Sequence, residues 1–281
     1  MRRLAITLLG IAACLTLHAQ PSQKDSLAFI GADWHWVDLG KGAQAGCAQF
    51  QMFGRTETIS IVKYPARKHR TSIIHAPAAQ AGKTNILAEK EGAKAAINGS
   101  YFNVRALTPV TFMVLGHEVV AKNPKSESFR SNALMGFRRK HSRMAEFVPY
   151  DTLKNDFYAK RYHSCIVSGP LLVKDGKETT NDLKSSFNAT NHPRSLIGVD
   201  ARKNFYFIVV DGRFPGQAEG ASVVELQAIC RYLGITDAMN LDGGGSSTLW
   251  SEKTGILNYP YDNKKYDHEG MRTVPNIIMV K

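Results

Sequence analysis

The chain has 281 residues, and its 36 Lys and Arg against 24 Asp and Glu give a formal net charge of +12. The length suits one large domain or two small ones. The basic residues lie in short scattered groups that match no nucleic-acid-binding module, so no nucleic-acid partner is expected. The positive charge is equally compatible with solubility alone and with contacts to anionic glycans, phosphates or membrane surfaces.

The first residues have the pattern of a secretory signal peptide. Met1-Arg2-Arg3 precedes a mostly apolar run, and small residues predict cleavage after Ala19. The run is too short to span a bilayer, so no stable membrane insertion is expected. Acylation of Cys14, as in a lipoprotein, is less favoured because the residues after Cys14 stay apolar. We therefore expect a signal peptide at residues 1–19 and export to the periplasm or the extracellular space.

Cleavage would leave Cys47, Cys165 and Cys230, an odd number that allows at most one disulfide. Neither a Cys-x-x-Cys pair nor a His-Glu-x-x-His motif occurs, so no zinc site is expected. The sequence predicts no cofactor, although a divalent cation such as Ca²⁺ or Mg²⁺ belongs to one of the alternatives below.

Residues 20–93 are predicted to form strands and one helix within the same domain as the rest. Alternation at residues 34–37 indicates a strand. The β-branched runs 58–64 and 71–75 predict a hairpin around residues 65–70. A helix is predicted over residues 84–92, ended by Gly92.

Residues 94–210 are dominated by predicted strands. An apolar strand at 94–98 runs into a turn at Asn98-Gly99, and a hairpin is centred on Gly116. A short helix is predicted at 151–160. Further strands are predicted at 132–138, 145–148, 164–173 (broken by Gly169-Pro170), 196–200 and 205–210.

The clearest helix spans residues 223–233. Ser222 and Glu225 form a capping box, Gly234 ends the helix, and Cys230 lies on its apolar face as a core residue. The tyrosine-rich segment 255–270 is either a lid over a site or a surface loop, and residues 272–280 form a last strand. Because strands outnumber helices and come in hairpins, the sequence predicts a single α+β domain with mixed or antiparallel sheets and few helices.

The most informative stretch is Asn240-Leu241-Asp242-Gly243-Gly244-Gly245-Ser246-Ser247. Strand alternation puts Asn240 and Asp242 on one face. The three glycines permit positive φ and the close approach of a ligand, and successive N–H groups in such a turn can form an anion-binding nest. The residues that follow indicate a strand, so a P-loop and a nucleophile elbow do not fit. A glycine-rich hairpin with a solvated Asp is the plainer alternative.

Four segments together resemble the phosphodiester glycosidase family. They are Asn98-Gly99-Ser100-Tyr101-Phe102, Arg194-Ser195-Leu196-Ile197-Gly198, Val210-Asp211-Gly212-Arg213 and the glycine-rich stretch. Arg272-Thr273-Val274-Pro275-Asn276 is similar to the closing segment of the family. The resemblance covers residues 94–281 and implies that they form the phosphodiester glycosidase core of an exported bacterial member.

The resemblance implies hydrolysis of a sugar-1-phosphodiester at the anomeric carbon, with release of the sugar and a phosphomonoester. This reaction needs a carboxylate as base or nucleophile, cations for the phosphate and hydrogen bonds that orient the sugar. We hypothesise that Asp242 is the base or nucleophile and Asp211 the second carboxylate. Asn98 and Asn240 are expected to orient the sugar or the carboxylates.

The expected partner is a phosphorylated glycan or sugar-1-phosphodiester, and the sequence predicts no particular oligomeric state. Arg194 and Arg213 are expected to hold the phosphate, because Arg suits bidentate phosphate contacts. A purely structural ion pair of Asp211 with either arginine is the alternative. The complete set of expected substrate-binding residues is Arg194, Ser195, Arg213, Gly243, Gly244, Gly245, Ser246, Tyr101, Phe102 and Arg272.

Two other functions are compatible with the sequence. A metal-assisted phosphodiester hydrolase acting on cell-surface polymers would use oxygen atoms of Asn240, Asp242 and Asp211 as ligands for Ca²⁺ or Mg²⁺. A non-catalytic phosphoglycan-binding protein would stack sugars on exposed aromatic rings, namely Trp34, Trp36, Tyr101, Tyr259 and Tyr261.

Overall fold

A computed structural model describes residues 22–180 and 185–281, and the predicted signal peptide lies outside these residues. Strands account for 40% of the chain and helices for 18%, which confirms an α+β fold built mainly on antiparallel sheet. Within the described ranges, no helix combines the length and the apolar character needed to cross a bilayer.

The helices of the described residues are α1 (Gln23–Ile30), α2 (Thr84–Lys90), α3 (Asn155–Arg161), α4 (Ser186–Ala189) and α5 (Val223–Tyr232). The strands are β1 (His35–Gly40), β2 (Ala43–Met52), β3 (Arg55–Pro65), β4 (Thr71–His75), β5 (Ala95–Asn98), β6 (Phe102–Asn103), β7 (Thr108–Pro109), β8 (Met113–Leu115), β9 (Glu118–Ala121), β10 (Ala133–Phe137), β11 (Glu146–Pro149), β12 (Ser164–Ser168), β13 (Leu171–Lys174), β14 (Lys177–Glu178), β15 (Arg194–Asp200), β16 (Asn204–Val210), β17 (Ile235–Asn240), β18 (Leu249–Ser251), β19 (Gly255–Ile256) and β20 (Asn276–Val280).

An eight-stranded sheet is the centre of the fold, with the strand order β1-β2-β3-β16-β15-β17-β13-β14. Two five-stranded sheets have the orders β11-β10-β12-β8-β9 and β19-β18-β5-β20-β4, and β6 pairs with β7. Neighbouring strands in the central sheet run antiparallel. Because β3 pairs directly with β16, the N-terminal strands and the C-terminal strands share one sheet.

Strand β16 shows how the layers are stacked. Phe205 and Phe207 belong to an apolar cluster that includes residues of both five-stranded sheets. Tyr206 and Ile208 alternate with them and pack in a second cluster with Leu226 of α5. The central sheet is therefore covered on both faces, which explains why β16 has a nearly continuous apolar sequence.

The predicted hairpin of residues 58–64 and 71–75 is wrong. Strand β3 pairs with β2 and β16 in the central sheet, whereas β4 pairs with β20 in a five-stranded sheet. Residues 65–70 therefore cross between two sheets, and a 2.8 Å hydrogen bond joins the hydroxyls of Tyr64 and Thr71 across this connection. Local β-propensity predicts that each segment is a strand, but it does not determine the partner of that strand.

The predicted break at Gly169-Pro170 is confirmed, whereas the strand predicted after the glycine turn begins later than expected. Residues 164–173 form β12 and β13 in different sheets, on either side of the cis Gly169-Pro170 bond. Residues Gly244–Ser246 form a short 3-10 turn, and β18 begins only at Leu249. The capping box of α5 is confirmed, since Glu225 N donates to Ser222 Oγ and the Glu225 carboxylate accepts from Ser222 N. Cys230 is buried in the core, as predicted.

Candidate active site

The candidate site lies where the central sheet meets the five-stranded sheet that contains β5. The chain leaves β17 at Asn240 and enters β18 of the other sheet after the glycine turn. Leu241 N donates to Ser195 O at 2.8 Å, and Asp242 N donates to Gly99 O at 3.0 Å. These bonds tie the segment to both sheets, so the position of Asp242 is determined by the seam between them.

A cavity of about 230 Å³ opens at this seam. Asp242 is the one carboxylate in its lining, and four arginines share the lining with it. The lining residues among those described are Tyr101, Arg130, Phe187, His192, Pro193, Arg194, Arg213, Asp242, Gly243, Gly244, Gly245 and Arg272. Segments that are distant in sequence thus form one pocket with an excess of positive charge.

Asp242 is only partly exposed, and its Oδ1 accepts a 3.0 Å hydrogen bond from Gly243 N. Burial raises the pKa of Asp242 to about 6, although the Ser246 hydroxyl, Arg130, Gly243 N–H and Arg272 each lower it. At neutral pH the group is therefore largely ionised but still basic enough to accept a proton, as a general base requires.

Arg194 is almost completely buried, with 2% of its surface exposed. Its Nε donates to Ala221 O at 3.0 Å, and its Nη2 lies 2.6 Å from Phe187 O and 3.0 Å from Thr190 O. Burial lowers the pKa of Arg194 to about 10. In the described part of the chain, no carboxylate forms an ion pair with Arg194 or Arg213, so the alternative of a structural pair with Asp211 is wrong.

Arg213 lies beside His192 at the cavity. Its backbone has φ of 68°, in the left-handed region that is uncommon for residues other than glycine. Its guanidinium stacks on Tyr261 at 5.2 Å, and its Nη2 lies 3.5 Å from His192 Nδ1. Burial, together with Arg194 and Arg213, lowers the pKa of His192 to about 4, so this imidazole is neutral at pH 7.

The three glycines are constrained in different ways. A Cβ on Gly243 would lie 2.6 Å from Pro193 O, and one on Gly245 would lie 2.5 Å from Arg272 Nη2. Gly244 has φ of +61°. The close approach expected for a ligand is thus occupied in part by protein groups.

The predicted anion-binding nest is only partly available. Gly243 N donates to the Asp242 carboxylate and Gly244 N donates to Pro193 O at 2.8 Å. Gly245 N–H is the member of the turn for which residues 22–180 and 185–281 supply no acceptor. At most one of the three backbone donors is therefore left for an anion.

Asn98 and Ser195 lie beneath the cavity rather than in its lining. Asn98 Nδ2 donates to Asp242 O at 2.7 Å, and Asn98 Oδ1 accepts from Ser195 Oγ at 2.7 Å and from Thr248 N at 3.2 Å. Both side chains are buried. Their hydrogen bonds hold the backbone that carries Asp242, and neither side chain is in the lining of the cavity.

Three more predicted residues are placed behind the wall of the cavity. Asn240 Nδ2 lies 3.0 Å from the Tyr101 hydroxyl and 2.8 Å from Gly169 O, so Asn240 orients the Tyr101 ring that lines the cavity. Phe102 packs in an apolar cluster with Trp250. Ser246 is fully buried.

The structure does not bring Asp211 to the cavity. Its carboxylate is fully buried and accepts hydrogen bonds from Asn258 Nδ2 at 2.8 Å and Tyr259 N at 3.0 Å. Burial raises the pKa of Asp211 to about 7. The predicted cation ligands therefore do not converge, because Asn240 and Asp211 are both outside the lining. In the described ranges, no three His, Cys, Asp or Glu side chains are grouped to hold a metal ion.

Sequence reasoning missed four lining residues, namely Arg130, Phe187, His192 and Pro193. Arg130 stacks over the Tyr101 ring at 4.3 Å and pairs with Glu127 at 2.5 Å. Arg130 and Phe187 come from segments without periodicity, which carry no signal of their position. His192 and Pro193 directly precede Arg194, and this adjacency could have identified them.

The sequence profile of the family described as phosphodiester glycosidase matches residues 91–281. The chain belongs to the phosphodiester glycosidase family. No curated protein matches the chain significantly in sequence.

Solved structures support the same fold. The catalytic domain of zebrafish N-acetylglucosamine-1-phosphodiester alpha-N-acetylglucosaminidase, auto-inhibited by its pro-peptide, is similar with a TM-score of 0.67 at 16% identity, covering 88% of this chain and 87% of that one. A hypothetical protein from Synechocystis has a TM-score of 0.62 at 15% identity over 88% and 63% of the two chains. A Burkholderia pseudomallei protein described as exported has a TM-score of 0.58 at 13% identity over 82% and 75%. At these identities the likeness establishes the fold alone.

Proposed function

We propose that this phosphodiester glycosidase family member hydrolyses a sugar-1-phosphodiester at the anomeric carbon and releases the sugar and a phosphomonoester. The observation that carries the proposal is the single carboxylate, Asp242, facing four arginines in one cavity. A phosphodiester is an anion, and its phosphomonoester product carries more negative charge. Arg130 and Arg272 pair with Glu127 and Asp262 outside the lining. Arg194 and Arg213 have no carboxylate partner among the described residues, so their guanidinium groups suit both the bound substrate and the charge that develops as the bond breaks.

Asp242 supplies the basic oxygen for the reaction. It either takes a proton from a water that attacks the anomeric carbon, or attacks that carbon itself and is released by water in a second step. In both routes the bond between the anomeric carbon and the phosphate oxygen breaks, and its electron pair stays on the phosphate. The water supplies the hydroxyl of the free sugar, and its other proton goes to the base or to the phosphate.

The leaving phosphate needs little help from a general acid, because it is stable as an anion. Arg194 and Arg213 are assigned to its oxygens, and Gly245 N–H adds a backbone donor. This assignment agrees with a lining that contains one carboxylate rather than the two of an ordinary glycosidase. Tyr101, held by Asn240, and Phe187 offer apolar ring surface to the sugar.

We also infer that the protein is exported and that its substrate is extracytoplasmic. The predicted signal peptide at residues 1–19 supports this inference, and one of the solved relatives is described as exported.

The test compares the turnover of a sugar-1-phosphodiester by the purified protein with its turnover of a matched aryl glycoside. Asp242→Asn should lower turnover of the phosphodiester by about 10³-fold. The control Asp237→Asn changes a partly buried carboxylate that binds Lys174 at 2.8 Å and should retain activity. A fully active, folded Asp242→Asn variant removes Asp242 from the mechanism.

The same assay separates the other two functions. Loss of activity with a chelator and its recovery with Ca²⁺ or Mg²⁺ would support the metal-assisted hydrolase. Tight binding of phosphoglycans with no turnover of any would support the glycan-binding protein.

A further inference from the structure

Two short basic segments that are far apart in the sequence lie together at the edge of β4. Arg70 Nη2 donates to Lys140 O at 2.8 Å, and Arg143 donates to Arg67 O. A cavity of about 260 Å³ lies between them, and we call this cavity the basic groove. The basic residues in its lining are Arg70, Arg139, Lys140, His163 and Lys281. None of these residues lines the candidate active site.

The basic groove has little negative charge to balance it. Glu91 is the acidic residue in its lining, and the nearest cation, Lys281 Nζ, is 3.8 Å away. The other cations, Arg70, Arg139 and Lys140, are exposed. Throughout the part of the chain with assigned positions, none of these three forms an ion pair with a carboxylate. Three unpaired cations around one cavity attract an anion more strongly than scattered surface charges do.

The surroundings of His163, which also lines the groove, show the same excess of positive charge. Its ring lies 5.1 Å from that of His117, and its backbone N–H donates to Phe137 O at 2.9 Å. Burial lowers the pKa of His163, and His117, Lys140, Arg70 and His141 lower it further. The charged neighbours with the largest effect on the pKa of this imidazole are thus basic.

We propose that the basic groove is a second site, which binds the anionic groups of an acidic polysaccharide. Its arginines and lysines match phosphate, sulfate or carboxylate groups, and the hydroxyls of Ser72 and Ser142 in the lining can hydrogen-bond to sugar oxygens. A single-stranded nucleic acid fits less well because its bases need exposed aromatic rings. Phe137, the aromatic side chain of the lining apart from His163, is 4% exposed.

The groove would hold the protein on an acidic polymer independently of the activity at Asp242. The proposal therefore does not depend on the proposed function, and the two fail separately. Variants of the groove should leave the turnover of a small soluble substrate unchanged.

The test uses the whole protein and a heparin oligosaccharide as an acidic glycan probe. The double variant Arg139→Glu/Lys140→Glu should bind it about tenfold or more weakly, because two attractive charges become repulsive. The control Lys24→Glu/Lys177→Glu makes the same charge change at α1 and β14 and should bind within about twofold of wild type. Equal weakening in both variants would show that binding follows net charge alone, which overturns the proposal.

Two further measurements test the location and the class of ligand. Bound heparin should raise the pKa of His163 in an NMR titration, because an anion offsets its basic neighbours; an unchanged pKa overturns the assignment of the site. A single-stranded DNA oligonucleotide of equal charge should bind more weakly than heparin. Tighter DNA binding that is lost in Arg139→Glu/Lys140→Glu would assign the groove to nucleic acid instead.

Discussion

Asn98 holds Asp242 through a 2.7 Å hydrogen bond from its side-chain nitrogen to the Asp242 backbone carbonyl oxygen. The same side chain accepts hydrogen bonds from Ser195 Oγ and Thr248 N. One buried amide thus connects β5, β15 and the approach to β18, so the carboxylate of Asp242 is positioned by three segments at once.

Replacement of Asn98 should affect stability and turnover together. Asn98→Ala leaves buried donors of Ser195 and Thr248 without their acceptor, so it should cost about 2–4 kcal/mol of unfolding free energy. It should also lower kcat more than it raises KM, because the carboxylate moves while the arginines stay. Ser195→Ala removes one bond and should cost about 1 kcal/mol. Denaturant unfolding measures the stability of both variants, and steady-state kinetics measures the kcat and KM of Asn98→Ala. A wild-type kcat in Asn98→Ala would contradict the positioning role.

The pH dependence of activity should report Asp242. Because its pKa is raised to about 6, kcat/KM should fall about tenfold per pH unit below that value. An acid limb centred near the ordinary Asp value of about 4 would contradict the assignment. The measurement is a pH–rate profile over the range in which the protein stays folded.

Stability should depend on Asp242 in the opposite sense. A carboxyl whose folded pKa is raised stabilises the fold fully below its unfolded pKa of about 3.9, and that contribution is lost as pH rises through about 6. Asp242→Asn should therefore be more stable than wild type at pH 8 by about 1–2 kcal/mol, with a smaller difference at pH 4. Urea unfolding at both pH values tests this, and equal stability at pH 8 would contradict it.

Two glycine substitutions should have different effects. In Gly245→Ala the new Cβ meets the flexible ends of Arg272 and Asp262, so stability should change by less than about 1 kcal/mol while KM rises as Arg272 is displaced. In Gly99→Ala the Cβ would lie 1.9 Å from Asn276 Oδ1 and 3.0 Å from Asn276 O. That site is buried, so Gly99→Ala should cost about 3 kcal/mol or more. Thermal melts measure the stability of the two variants, and steady-state kinetics measures the KM of Gly245→Ala.

The unfavourable backbone conformation of Arg213 should lower stability, while its guanidinium should contribute to phosphate binding. Its φ of 68° favours glycine, so Arg213→Gly should cost no stability and can gain up to about 1 kcal/mol. The loss of the guanidinium should raise KM for the phosphodiester about tenfold or more. Arg213→Ala, which keeps the unfavourable φ, is the matched control: it should show the same KM at lower stability. Unchanged KM in both variants would remove Arg213 from phosphate binding.

Asp211 should prove structural. Asp211→Asn places a donor where the carboxylate now accepts from Asn258 and Tyr259, so it should cost about 1–3 kcal/mol. Its kcat/KM should stay within about tenfold of wild type, far above that of Asp242→Asn. A loss of activity as large as that of Asp242→Asn, in a folded protein, would restore Asp211 to the catalytic machinery.

The sequence alone determined many of the elements and singled out the glycine-rich stretch, although it predicted neither α1 nor β2. The capping box of Ser222 and Glu225 and the alternation that separates Asn240 and Asp242 from Leu241 are local patterns, so the sequence contains them directly. The order of the motif segments was sufficient to indicate the family. These features depend on neighbours a few residues apart, where dihedral preference and periodicity act.

Tertiary structure alone decided which of those residues face the cavity. Asp211 and Asp242 both follow apolar strands. The Asp211 carboxylate is nevertheless buried against residues 258–259, whereas Asp242 faces the cavity. Arg130 reaches the same cavity from a segment without a pattern, and β4 separates from β3 into another sheet. The physical reason is that packing between distant segments sets strand partners and pocket walls. The free energy of that packing cannot be derived from any short stretch of the sequence.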